Sequence, residues 1–153
     1  MIKKIGWLLL FFSFISLGQL SFGKNARVME KSPSIDLYAN KSVYRAGEPV
    51  ELTVIAANRS KTAIKLIFGS GQSFDLAVAD ENNNAVWQWS HDRVFTMAVR
   101  SVELLPGQRL KFNAVWRQAD NNDQPVKRGK YFVRGWLTTT SQPGSQKKLI
   151  TIK

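Results

Sequence analysis

The chain contains no cysteine and a single histidine, His91. Neither a disulfide nor a thiolate metal site can therefore hold it together, and packing of the interior has to do that alone. Acidic residues are scarce as well: 11 Asp and Glu stand against 22 Lys and Arg. No long segment carries a helical hydrophobic period, and no internal repeat is visible. What is present is ordinary globular material, 44% hydrophobic and 11% aromatic over 153 residues. Such a length predicts one domain that buries roughly two-thirds of its unfolded surface.

The first 23 residues are of a different kind. MIKK supplies a short positive start, 5–18 (IGWLLLFFSFISLG) is an apolar run, and Ser21-Phe22-Gly23 sets small residues around a bulky one. The run is too short and too near the start for an ordinary span, so it predicts a removable export signal over 1–23. Retention as an N-terminal anchor is the lesser alternative. No cysteine follows the run, which excludes lipid attachment there. The expected destination is the periplasm or the medium, with no stable membrane span after signal removal. Taking Lys3 and Lys4 from the 22 basic residues leaves 20 against 11 acids, a net charge of +9. Apart from Lys127-Arg128-Gly129-Lys130 the basic residues are scattered. A scattered excess predicts loose attraction to anionic envelope surfaces or acidic proteins, and no nucleic-acid partner.

Residues 24–33 are polar and aperiodic and read as a flexible lead-in; 34–153 then read as one β domain. Val50, Leu52, Val54 and Ala56 alternate with Glu51 and Thr53, and Ile64, Leu66 and Phe68 lie opposite Lys65. Phe74, Leu76 and Val78 lead through Asp80-Glu81-Asn82-Asn83-Asn84, a hairpin turn whose residues tolerate left-handed backbone. Further strands are predicted at 35–38, 85–89, 94–99, 109–117, 131–138 and 149–152, with a segment closed by Pro106-Gly107 after 94–99. The cleanest alternation sets Leu110, Phe112, Ala114 and Trp116 against Arg109, Lys111, Asn113 and Arg117. Eight or nine short strands with regular turns predict an all-β, antiparallel immunoglobulin-like β-sandwich, with a small β-barrel as the alternative.

Several pieces occur together in a telling order. A hydrophobic strand ends in Asn58-Arg59-Ser60, then come Leu66 and Phe68, and Ser70-Gly71-Gln72 runs into Phe74-Asp75. Val86-Trp87-Gln88-Trp89-Ser90 and Phe95 follow, with Pro106-Gly107, Trp116 and Gly129-Lys130-Tyr131 completing the set. Over 50–136, which is 87 of the 153 residues, the chain resembles the BsuPI-type intracellular proteinase inhibitor domain of bacteria. The resemblance implies an all-β inhibitor fold and a proteinase as partner. It departs from the family in carrying an export signal, which puts any target in the envelope or outside the cell.

The residues themselves offer little for catalysis. A Ser/His/acid reading would need His91, Asp92 and Ser90 or Ser70, and sequence neighbours on one short turn do not supply an oriented base with an oxyanion hole. Asp120 and Asp123 lack the glycine and distal glutamate of a calcium loop. No enzyme, cofactor or metal is expected. An inhibitor would instead insert an extended loop into the enzyme's cleft. Two loops qualify, Ser70-Gly71-Gln72-Ser73 and Ser90-His91-Asp92-Arg93, the second offering Arg93 as a specificity side chain. The alternation of 85–89 places Trp87 and Trp89 on one face with Ala85, and packing against the strand of Phe74, Leu76 and Val78 makes that face a core face. Trp136 shares the opposite kind of face, with Phe132 and Arg134, and is the surface candidate: a cation–π partner, a contact patch, or a residue under the terminal segment. The alternative to inhibition is an envelope binding module that uses this basic and aromatic surface on another protein or an anionic polymer.

Overall fold

The computed structural model describes residues 31–153; the expected signal over 1–23 lies outside them, and of the lead-in only 31–33 fall within, without regular structure. Ten strands follow: β1 (Ser34–Ala39), β2 (Val43–Tyr44), β3 (Val50–Ala57), β4 (Ile64–Phe68), β5 (Phe74–Asp80), β6 (Ala85–Gln88), β7 (Arg100–Leu104), β8 (Arg109–Trp116), β9 (Gly129–Leu137) and β10 (Lys148–Ile152). None of the described residues forms a helix long and apolar enough to cross a membrane.

One sheet has the order β1-β3-β8 and a second the order β2-β10-β9-β5-β6, with β4 and β7 forming a separate ribbon. Every pairing is antiparallel except β2 with β10. Both large sheets have two ends, so the expected sandwich is found and the barrel is not. Period-two alternation explains which faces meet. Leu52, Val54, Ala114 and Trp116 from the first sheet are buried with Leu76, Val78, Val133 and Ile150 from the second. At the centre the sheets come close enough that a Cβ on Gly135 would lie 2.6 Å from Val54 Cγ2. Glycine is required there by space.

The β3–β8 ribbon bends into the β4–β7 ribbon at Asn58, a buried polar residue whose groups are all used. Its Nδ2 donates to Thr62 O at 2.8 Å and Leu104 O at 2.7 Å, while Oδ1 accepts from Ser60 N and Ser60 Oγ. The signature Asn58-Arg59-Ser60 is thus a corner, satisfied internally as burial demands.

Two expectations need correction. Ala85 does not share a face with Trp87. The pairing runs Val78 with Trp87 and then Ala79 with Ala85, leaving Val86 as an extra residue in a bulge. One inserted residue flips Ala85 to the exposed outer side, while Trp87 and Trp89 still pack on the core, both half-buried. The segment 94–99 is not a strand at all; it carries no ladder and most of its side chains face solvent. A strand exists only where a neighbour supplies hydrogen bonds, and here β7 begins later, at Arg100.

Tyr44 and Tyr131 are buried in this core, and burial raises both phenol pKa values. For Tyr131 the charges of Asp80 and Glu81 push the same way. A raised folded-state pKa means that the neutral phenol is what the fold stabilises. That stability is complete below the unfolded value of about 10 and is lost as pH rises through the folded values. Urea midpoints should therefore fall at alkaline pH together with the appearance of phenolate absorbance; midpoints that stay level through the phenolate transition would refute it.

Candidate functional site

The β5–β6 hairpin sets the geometry. Asp80 organises its turn, with Oδ1 accepting from Asn82 N and Asn84 N and Oδ2 from Asn84 Nδ2, and Asn83 adopts a φ of 63°. Those bonds hold the Asp80 carboxyl below its ordinary pKa. The free edge of β6 is closed by Asn121, whose Oδ1 accepts from Gln88 N at 2.9 Å. Past Gln88 the chain turns over 89–92 and then runs irregularly over 93–99 until it enters β7.

Arg93 and Thr96 are exposed in that run, and so are its large apolar side chains: Val94 is 100% exposed, Met97 91% and Val99 73%. Its attachment is nevertheless dense. Arg93 folds back, its guanidinium 4.2 Å from the Trp89 ring centroid and its Nε donating to Trp89 O at 2.9 Å. Phe95 turns inward onto Trp89, with ring centroids 5.9 Å apart. Gly71 N donates to Thr96 O at 2.8 Å. At the far end Arg100 donates to Ser73 Oγ, and its guanidinium lies 4.5 Å from the Phe68 ring centroid. Four tethers in eight residues hold the backbone while the apolar groups point away from the body.

Beneath the loop sits Asp75, on β5 and 3% exposed. Its Oδ1 accepts from Leu76 N at 2.8 Å and Ser90 N at 3.2 Å; its Oδ2 accepts from Gln88 Nε2 and Ser90 Oγ, each at 2.6 Å. A carboxylate is an acceptor-only group, and here every donor around it is supplied. Phe74-Asp75 and Gln88-Trp89-Ser90, separate signatures in the sequence, are the two halves of one clamp that fixes where the chain leaves the sheet.

The sequence candidates fall into place around this. Ser70, Gly71, Gln72 and Ser73 form a buttress: a Cβ on Gly71 would lie 2.6 Å from Thr96 Oγ1, Gln72 O accepts from Thr138 Oγ1 at 2.8 Å, and Ser70 Oγ accepts from Gln72 N at 3.2 Å. Ser90 belongs to the clamp. His91 and Asp92 are exposed, with His91 Nε2 3.7 Å from Asp92 Oδ1, and the Ser90 hydroxyl donates to Asp75. Arg93 braces Trp89. Trp136 lies on the outer face of β9 opposite Asp75 in register, half-buried, with Gly144 bridging to it. The cation over an aromatic ring on that face is Lys147, 5.8 Å from the centroid of Phe132. Among the described residues no three His, Asp or Glu side chains converge as metal ligands.

Sequence reasoning missed Asp75 as a positioning residue and the exposed trio Val94, Met97 and Val99. The signal for the trio was present: in VFTMAV the apolar residues do not alternate, which a half-buried strand would require. A depression of about 570 Å³ lies beside the hairpin turn between Asp80, His91, Asp120 and Tyr131. Its shifted groups, Asp80 and Tyr131, are accounted for by turn hydrogen bonds and mainly by burial.

The family described as BsuPI, intracellular proteinase inhibitor, matches residues 37–142. No curated protein sequence matches the chain. Similar solved structures include a β-glucosidase from Erythrobacter marinus (13% identity, TM-score 0.44), of whose chain the match spans 16% and of this one 79%. A CARDB domain from Pyrococcus furiosus is 12% identical with a TM-score of 0.43, over 79% of this chain and 94% of that one. A sporulation control protein from Bacillus subtilis is 18% identical with a TM-score of 0.48, over 80% of this chain and 50% of that one.

Proposed function

Since the chain belongs to the BsuPI family of intracellular proteinase inhibitors, we propose that it is a reversible proteinase inhibitor that works outside the cytoplasm and enters the enzyme's cleft with residues 93–99. One observation carries this reading: an irregular apolar segment, exposed at Val94, Met97 and Val99, tethered at Arg93, Phe95, Thr96 and Arg100. A cleft that binds substrate in extended form needs free backbone and outward side chains, and both are offered here. Holding the loop before binding reduces the conformational entropy lost on association, which is how an inhibitor without disulfides keeps affinity. The excess of basic residues adds attraction to an acidic enzyme surface and speeds encounter. Export follows from the signal-like segment 1–23 and makes an envelope or extracellular proteinase the target.

The test is a titration of the chain from residue 24 against serine, cysteine and metalloproteinases, read with a small substrate and a protein substrate. Stoichiometric loss of one activity, with the added chain uncut, is the expected result. No loss across the panel from folded protein would discard inhibition in favour of a binding module for another envelope protein or an anionic polymer. For export, the mature N-terminus is determined from periplasm and medium; an intact Met1 found in the cytoplasm would overturn it.

A further inference from the structure

We infer that Met97 is the specificity side chain and that the partner is a proteinase whose specificity pocket is apolar; this rests on the loop reading above. The net charge of the chain would point to a pocket that takes lysine or arginine, but the loop's one cation is withdrawn. Arg93 is stacked on Trp89 and bonded to Trp89 O, so reaching outward would break both contacts. Phe95 is turned inward, and Thr96 is the residue through which the buttress holds the backbone. Besides the small Ala98, three outward apolar side chains remain: Val94, Met97 and Val99.

Their shapes decide between them. Val94 and Val99 branch at Cβ, are stiff at χ1 and reach only two bonds from the backbone. Met97 is unbranched and polarizable, and it extends far enough to fill an apolar slot and adapt to its walls. Its position favours it too. The carbonyl just before it is fixed by Gly71 N at 2.8 Å, and Arg100 anchors the chain three residues on. Met97 therefore begins a short span held at both ends, followed by the small Ala98, which lets a cleft wall approach. Exposing 91% of a methionine contributes nothing to the fold, so the sandwich gives no reason for it.

A chemical handle follows from composition. Met97 is the only methionine after residue 29, and there is no cysteine. Hydrogen peroxide transfers one oxygen to the thioether sulfur, giving the sulfoxide and water; sulfur is oxidised and peroxide reduced. The product is polar and no longer suits an apolar pocket.

The experiment uses the full chain as the producing cell processes it. Inhibition constants are measured against one proteinase that cleaves after large apolar residues and one that cleaves after lysine or arginine. Inhibition of the first and not the second is expected, with Met97→Leu within about threefold of the parent and Met97→Asp weaker by about 100-fold or more. Peroxide should weaken the parent and leave Met97→Leu unchanged, with the 16-dalton-class adduct located by peptide mass mapping rather than assumed. Because Met97 is exposed, thermal melts of all variants should coincide. Full inhibition by Met97→Asp, or inhibition only of the enzyme specific for basic residues, would overturn the assignment while leaving inhibition itself standing. Absence of inhibition by the parent against every proteinase would overturn the inhibitor reading and this assignment with it.

Discussion

Asp75→Ala is expected to weaken inhibition by about tenfold or more, because it frees the base of the loop that has to be held in advance. Asp75 touches no part of the proposed contact surface; it acts through Ser90 and Gln88. Removing its carboxylate takes that acceptor from Leu76 N, Ser90 N and Ser90 Oγ, and leaves Gln88 Nε2 only its 3.1 Å bond to Ser90 Oγ. Gln88 is exposed and Ser90 half-buried, so water replaces part of what is lost, and the stability cost should be about 2–3 kcal/mol. Asp75→Asn is the sharper comparison. It keeps the shape but turns an amide donor toward two donors already there, so it should resemble alanine more than the parent. The readouts are the inhibition constant, the urea midpoint, and amide hydrogen exchange at 89–93. A purely structural role would lower the midpoint without accelerating exchange in the loop or raising the inhibition constant, and that pattern would sink the idea.

Trp116→Ala should be the most destabilising single change, by about 3–5 kcal/mol. The side chain is 0% exposed, its Nε1 donates to Ala119 O at 2.8 Å, and its ring contacts Trp87 at 6.4 Å and Tyr131 at 5.4 Å between centroids. It therefore joins the two sheets and the start of the 118–128 loop. Truncation removes apolar contacts from all three, opens a cavity, and leaves a backbone carbonyl without its donor. Against a total stability of about 5–15 kcal/mol, such a loss is a large share. Val115→Ala is the internal control: it is the adjacent residue on the opposite face, 50% exposed, and should change stability by about 0.5 kcal/mol or less. Trp87→Ala and Trp89→Ala should fall between these, since both rings are half-buried. Similar urea midpoints for Trp116→Ala and Val115→Ala would contradict the burial that assigns the two faces of β8.

Strand β8 was legible because its alternation is a local property: a residue's neighbours in sequence already state which side faces oil and which faces water. The same holds for β3, β4 and β5, for the Asp80–Asn84 turn, and for the exclusion of disulfides by the lack of cysteine. Together with the ordered signatures, these were enough to identify an antiparallel sandwich of the BsuPI kind. Other features depend on partners far along the chain. The bulge at Val86 is defined only by the register against β5, and it alone moves Ala85 to the outer face. The segment 94–99 has the composition of a strand but no neighbour to pair with, so its apolar residues become a presented loop. Its anchor is a glycine amide in another loop, and the clamp beneath it joins Asp75 to Ser90 across a hairpin. Sequence alone determined the alternating faces and the absence of covalent staples, because both are written residue by residue. Which loop is held out, and by what, was decided by the tertiary structure, because hydrogen bonds between distant segments exist only after the sheets have packed.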